Sequence, residues 1–469
     1  MPSWASRALT AAPLLAAAAF YVWNFADLFL LIEYRHWIDN PPQWRSTLQW
    51  FLDVALLHQW APQLSRGLSF LVAGIFREAC GLSIVCHNGM HIALLLASAA
   101  LLGAILRRWV DPFITAGALV FFLFSAPVLD AAAWQATLLD KCAVLFTALL
   151  TYYVARSDPA ASTWRDQAIL LTLTVLATNA KEAAWVCVPS AVLLSLLRSG
   201  DLRRTVLRFA LPCAYFAWQT GYVLYGLYQL PGELARVTSA NPLPNLSKYA
   251  DYLLGAQASL PVLGLVLSVA LLIAYRRPTH RKVIVWAVVS FVGAIIIPLR
   301  TATAELFYLL VPMFYLTIAL ALTFATAAAA RPIALRSAAA IVGLGLLTVQ
   351  VRGYVRHYPL YAARIEMSRN FQVALAAVRA GLGERRPELV TFRYPAANHQ
   401  TYMFVTSIGE HGHALARYIA PPGAGEGEIE ALRRIIRDAE AERATAPQKG
   451  EMTVLLRQDL ALERLGVTE

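Results

Sequence analysis

The residues most able to do chemistry in this chain are carboxylates and cations placed where long apolar runs break. The first is NFADLFLLIEYRHW, which holds Asp27 and Glu33 just after an apolar stretch. A carboxylate at the mouth of a helix bundle can act as a general base toward a hydroxyl or amine, or help hold a metal ion. Glu33, with Arg35 and His36, also fits a solvated helix face with local ion pairs. The second is APVLDAAAWQATLLDK. Asp130 falls in a short turn and Asp140 beside Lys141 inside the next run, which either sets both acids along one cavity or makes a helix cap and a headgroup-reaching pair. The third is ATNAKEAAW, where Lys181 suits a phosphate and Glu182 suits pairing with it, or the two form a plain hydrophilic turn. The fourth is PLRTATAELFYLLVP, with Arg300 and Glu305. The fork of donors on Arg300 matches a phosphate, whether of a substrate or of lipid. His87 and His91 lie four apart in CHNGMHI without the intervening acid of a zinc pair, so we read them as polar contacts inside a bundle.

These residues need a scaffold, and the composition indicates one. The chain has 469 residues, of which 58% are hydrophobic and 15% charged. Its mean hydropathy is +0.53. Soluble domains carry about 25% charge, and apolar runs of about 17–25 residues recur, each enough to cross a bilayer. The runs do not alternate in period two, so helices rather than a barrel are expected. We expect about eleven spans, near 8–25, 86–106, 112–128, 137–155, 167–180, 184–198, 205–227, 257–275, 282–299, 306–328 and 335–352, to within roughly 2–4 residues at each end. The first continues too far to be a signal-peptide core and reads as an uncleaved span.

The net charge of +11 sits mostly in alternate short turns, such as Arg107-Arg108, Arg203-Arg204 and Arg281-Lys282. Such turns face the cytoplasm, which places the N-terminus inside and the C-terminus outside. No aromatic-interleaved basic groove is present, so nucleic acid is not a partner. In a bacterium the location is the inner membrane.

The expected architecture is an all-α polytopic membrane domain, residues 1–352, followed by a small α+β extracytoplasmic domain, residues 353–469. The first outer loop, 27–85, has aromatic and apolar stretches that suit helices lying in the membrane interface. The stretch 228–256 reads as a mobile loop. In the tail, ELVTFRY, TYMFVTSI and MTVLLRQ read as strands, and EIEALRRIIRDAEAERA as helix. We read Cys80, Cys86, Cys142, Cys187 and Cys213 as small apolar residues, with a Cys80–Cys86 disulfide as the alternative. Clustered carboxylates suit Mg²⁺ or Mn²⁺, but the exposed acids are too scattered to define a ligand set, and the sequence leaves the metal unknown.

Four elements in order resemble the GT-C superfamily of membrane glycosyltransferases, closest to the branch of the protein O-mannosyltransferases and the tetratricopeptide-repeat transmembrane O-mannosyltransferases. Asp130-Ala-Ala-Ala-Trp134-x5-Asp140 matches that branch's acid-AVAW-x5-Asp element, and Lys181-Glu182 before Pro189 matches its Lys-Glu pair. Ser65-Arg66-Gly67-Leu68-Ser69, with His91 on the next span, stands where an Arg-Pro-Leu-Ser element and a His are usual. Glu305-Leu306-Phe307-Tyr308 echoes a Glu-Arg-Tyr-x-Tyr element. Asp27 is followed by Leu28 rather than a second acid, Gly67 replaces a Pro, Leu306 replaces an Arg, and the tail has no tetratricopeptide repeats.

The resemblance covers about residues 20–320 and implies an inverting transferase that moves a sugar from a polyprenyl-phosphate donor to a protein, lipid or glycan acceptor at the outer face. It implies Asp27 as the base, with Glu33 the next candidate, and Arg300 and Lys181 as partners of the departing phosphate. Asp130, Trp134, Asp140, Glu182, Arg66, His91, Glu305 and Tyr308 would shape the site. Two other readings stand beside it: a transporter or flippase of lipid-linked or anionic molecules, and a non-catalytic membrane assembly protein.

Overall fold

A computed structural model of the chain describes residues 3–26, 28, 48, 52, 67–81, 83–134, 137–159, 163–229, 242–254, 260–276, 278–299, 305–329, 333–385, 387, 389–394, 416, 419–420, 424–441, 451–457 and 461–467. A helix stands at every expected apolar run. In chain order these are α1 (Ser3–Phe25), α2 (Gly67–Cys80), α3 (Ile84–Leu106), α4 (Pro112–Leu123), α5 (Ala126–Ala133), α6 (Leu138–Arg156) and α7 (Trp164–Thr178). Then come a 3₁₀ turn (Glu182–Val186), α8 (Cys187–Ser199), α9 (Leu202–Gln229), α10 (Leu243–Leu254), α11 (Leu260–Arg276) and α12 (Pro278–Leu299). A second 3₁₀ turn (Leu306–Leu309) leads into α13 (Leu310–Ala328) and α14 (Ile333–Arg385).

Among the described residues, six helices are long and apolar enough to cross a membrane, or seven if the bent pair α4–α5 counts as one span. That marks a multi-pass membrane protein. The helices at 164–178, 202–229, 260–276 and 333–385 complete the expected eleven positions without meeting that criterion. Local chemistry sets the ends. Ser83 caps α3 by accepting from Cys86 N, and Asp111 caps α4 by accepting from Phe113 N and Ile114 N. Gly200, at φ 68°, closes α8 with the left-handed residue that such a stop favours.

The expected span 112–128 is broken. The chain bends by 54° between Leu123 and Ala126, where Ser125 Oγ returns a hydrogen bond to Phe122 O and Pro127 starts a new helix. Asp130 therefore lies on α5, not in a turn. The segment 228–256 is not wholly a loop either. Tyr249, Ala250 and Leu253 give α10 a buried face. GLSFLVAGIF lies in α2, whose first turn is buried against the end of α7 rather than lying free in the interface.

One continuous apolar core joins α1 to α13. At the end bearing Arg156, Arg198 and Arg204 (the lower end), four helices meet on the fully buried Arg208. It makes two 2.8 Å bonds to Asp166 and reaches Ser195 Oγ and Ser157 Oγ, while Tyr153 OH also donates to Asp166. Asp166 is thus not a solvated acid of a basic turn. It neutralises a buried guanidinium.

Helix α14 has 53 residues, about 80 Å at 1.5 Å per residue. It carries the chain without a break across residue 352, where a domain boundary was expected. Beyond the upper end it meets a four-stranded sheet of order β2-β1-β3-β4, built from β1 (Leu389–Tyr394), β2 (Ile436–Ala441), β3 (Glu451–Leu456) and β4 (Leu462–Val467). β1 is parallel to β2 and β3, and β4 is antiparallel to β3. Val390, Phe392, Met452 and Val454 pack on Phe371, Ala374 and Val378 of α14.

The expected helix EIEALRRIIRDAEAERA ends early. α15 (Glu426–Ile435) gives way to β2, because Ile436 opposite Val390 extends the sheet and packs, partly buried, against two apolar clusters. ELVTFRY and MTVLLRQ supply β1 and β3, β4 was not foreseen, and TYMFVTSI lies outside the described residues.

Cys80 and Cys86 form a disulfide across the α2–α3 corner, where Gly81 turns at φ 56°. The reading of these two as separate apolar residues is therefore corrected. Cys142, Cys187 and Cys213 are free thiols. Purified protein, denatured without reductant, should take three alkyl groups and, after reduction, five. Five before reduction would remove the disulfide.

Candidate functional site

The upper end is organised by α3, which enters the membrane there. Asn88 and His91 are three residues apart and so share one face. Asn88 Nδ2 donates to Ala26 O at 3.0 Å and to Leu28 O at 2.7 Å, clamping the backbone on both sides of Asp27. One turn deeper, His91 Nδ1 lies 3.0 Å from Lys141 Nζ, and Lys141 also donates to Trp134 O at 3.0 Å. An ammonium has no lone pair, so with Lys141 charged the His91 Nδ1 must accept and the ring proton must sit on Nε2.

Asp140, in the first turn of α6, does not pair with its neighbour Lys141. It takes Lys181, whose Nζ lies 2.8 Å from both carboxylate oxygens. Both side chains are almost fully buried, at 9% and 3% exposure. Lys181 also stands over the rings of Tyr308, at 4.4 Å, and Phe307, at 5.5 Å. A desolvated cation gains about 2 kcal/mol from an aromatic face. Phe307 in turn meets Trp134 edge-on at 5.4 Å. Asp130, buried on α5, acts electrostatically on Lys141 together with Asp140. Two acids, two lysines and His91 thus meet in one buried cluster.

The backbone beneath Lys181 is held separately. Leu68 N donates to Asn179 O at 3.0 Å, and Ser69 Oγ donates to Ala180 O at 2.9 Å. α2 therefore fixes the turn that presents Lys181.

Of the residues singled out in the sequence, the structure brings Asp130, Trp134, Asp140, Lys181, His91 and Tyr308 together. Glu305 begins the 3₁₀ turn bearing Tyr308, and Glu182 begins the one after Lys181, both half-buried. Glu182 was the expected partner of Lys181, but Asp140 takes that ion pair. Asp27, Glu33, Arg66 and Arg300 lie outside the described residues. Asn88 was missed, and Lys141, read in the sequence only beside Asp140, instead meets His91 and Trp134 O. The available signal for Asn88 was a lone amide between two histidines, three residues before His91. His87 pairs with Gly81 O at 3.0 Å, as a bundle contact rather than part of a metal pair. Among the described residues, no group of three His, Cys, Asp or Glu converges to hold a metal ion.

Removing one partner of a buried ion pair costs about 3–5 kcal/mol, because the other charge stays behind. Asp140→Leu should therefore lower the thermal unfolding midpoint in detergent sharply, and Asp140→Leu with Lys181→Met should recover most of that loss. Equal midpoints for the two variants would deny the pairing. No protein-family model, curated protein or solved structure matches the chain.

Proposed function

We propose that this chain is a GT-C-like glycosyltransferase that moves a sugar from a polyprenyl-phosphate donor to an acceptor at the outer face of the membrane. The observation that carries the reading is the clamp by Asn88. It fixes both backbone neighbours of Asp27 on the same helix face that, one turn on, engages His91, Lys141 and Trp134. Elements far apart in sequence thus meet at one end of the bundle, and His91 and Trp134 among them were singled out in the sequence.

In this mechanism Asp27 takes the proton of the acceptor hydroxyl or amine as that atom bonds to the anomeric carbon. The carbon–oxygen bond to phosphate breaks on the opposite face, and polyprenyl phosphate leaves with the bonding electrons. One displacement inverts the anomeric centre. Phosphate is already a good leaving group, so no separate carboxylic acid is needed, unlike a hydrolase. Fixed cations help most where charge develops. Arg300 is the proposed first partner of that charge. Lys181 is a weaker one, since Asp140 already balances it. Glu33 is the alternative base.

The outer-face assignment rests on two independent features. The lower end carries Arg107, Arg108, Arg198, Arg203 and Arg204, as a cytoplasmic face does. The upper end carries the Cys80–Cys86 disulfide, which suits an oxidising compartment. With the eleven spans proposed, the sheet domain would lie outside.

Asp27→Asn should abolish sugar transfer in a purified assay against a panel of polyprenyl-phosphate sugars, with yield and unfolding midpoint unchanged. Normal turnover would move the base to Glu33 or end the mechanism. A tag after Glu469 should be cleaved by protease added from outside spheroplasts; protection there, with cleavage in inverted vesicles, would reverse the topology.

A further inference from the structure

A groove of about 430 Å³ lies between the upper end of α1 and α14, lined among others by Trp23, Asn24, Tyr358, Glu366, Arg369 and Asn370. That volume is within the roughly 300–1,000 Å³ of small-molecule sites. Its chemistry is ordered along α14. Tyr358 and Asn370 are twelve residues apart, about 18 Å of helix. The membrane end is aromatic, with Trp23 at 83% exposure opposite Tyr358. Such rings settle at headgroup level. The far end is polar and charged, with Glu366, Arg369 and Asn370.

This order matches an amphiphile. Its apolar chain would stay in lipid below Trp23 and Tyr358, and its head would lie among the polar residues. Arg369 suits a phosphate. Asn24, Asn370 and Glu366 are partners for hydroxyls. Glu366 also repels a bare anion, so the lining favours a head with hydroxyls beside its phosphate over a simple anionic lipid. Asn24 is fixed against α1 by its bond to Phe20 O at 2.8 Å.

The groove's position relates it to the proposed base. Asn24 is three residues before Asp27, and Phe25 meets Tyr361 of α14 at 6.5 Å. Tyr361 OH donates to Ala126 O at 3.3 Å, at the start of α5. α5 also packs against the 3₁₀ turn of Phe307 and Tyr308, beside Lys181. Lys181 and the groove are therefore linked through α5, and Asn24 of the groove lies three residues before Asp27 in the chain. We infer that the groove holds the acceptor, and that this acceptor is a membrane lipid whose head carries hydroxyls and a phosphate. The inference rests on the transferase reading, but its test does not.

Full-length protein in nanodiscs is titrated with a fluorescent polyprenyl-diphosphate monosaccharide, with the same head lacking its lipid chain, and with phosphatidic acid, whose head is a phosphate without hydroxyl-bearing substituents. Ala362→Trp fills the groove, Arg369→Ala with Asn370→Ala strips its polar end, and Val355→Trp alters an exposed position on the same helix. The lipid-borne sugar should bind at least tenfold more weakly to the first two variants and equally to the third. The chain-free head should bind poorly to all. Unchanged binding by both groove variants overturns the inference. So does equal dependence of phosphatidic acid on the groove, which would make it an ordinary anionic-lipid seat. If groove variants release the glycolipid yet no polyprenyl-phosphate sugar is ever consumed, only the transferase reading falls. If sugar passes to a lipid-free acceptor and Ala362→Trp is indifferent, only the groove falls.

Discussion

The buried pair of Lys181 and Asp140 is the constraint around which the upper half of this bundle is arranged. A lysine and an aspartate at 9% and 3% exposure are tolerable inside a membrane protein only if each answers the other. That requirement fixes the start of α6 against the turn after α7. It also brings the Phe307–Tyr308 turn over the ammonium group, and Trp134 follows by packing on Phe307. Lys141, the next residue along α6, points elsewhere, to His91 and Trp134 O. Two adjacent residues on one helix thus tie it to two different neighbours.

The lower end repeats the logic with different residues. Arg208 has its donors taken by Asp166, Ser157 and Ser195, joining α6, α7, α8 and α9. Between the two ends, Ser190 bonds Ser290 at 2.7 Å and accepts from Trp286. α8 and α12 are therefore locked in register midway. Apolar burial alone gives little orientation between helices in lipid, since the tails are as apolar as leucine. Polar seams at both ends and in the middle supply it. The loops that carry the proposed chemistry thus hang from a scaffold with few ways to slide.

Much of this was legible in the sequence because a bilayer reads length and apolarity, and both are local. Helices appear where apolar runs were long, and Asp130, Asp140, Lys181 and Tyr308 stood out because charged and polar residues there are costly. What could not be read was who pairs with whom. Asp140 has Lys141 beside it in sequence, yet Lys181 is its partner, 41 residues on. Arg208 falls within the expected span 205–227 and was not singled out in the sequence, yet it is fully buried. Asn88 carries the clamp on Ala26 and Leu28 from about 60 residues away, which no periodicity encodes. The α15–β2 switch failed for the same reason. The sequence through Ile436 is helix-compatible until the free edge of β1 offers it a ladder. Pro127 did offer a local sign of the break before α5, but it was outweighed by the apolar run around it.

If the chain is the transferase proposed, the sheet domain bears on how an acceptor would reach the upper end. Its apolar core takes in Ile84, the first residue of α3, along with Phe371 and Val378 of α14. Folded protein therefore sits directly above the helix that clamps the Asp27 segment, and the Cys80–Cys86 link holds that corner in place. A bulky acceptor descending from water meets this cover. A lipid moving in the plane of the membrane meets α1 and α14 instead, where Trp23 and Tyr358 face outward at the foot of a polar groove. The long unbroken α14 makes both features at once: it raises the sheet above α3 and forms one wall of the lateral path. Among the described residues, the proposed site has the sheet domain above it and α1 and α14 beside it, an arrangement suited to the lipid-borne substrates proposed for it.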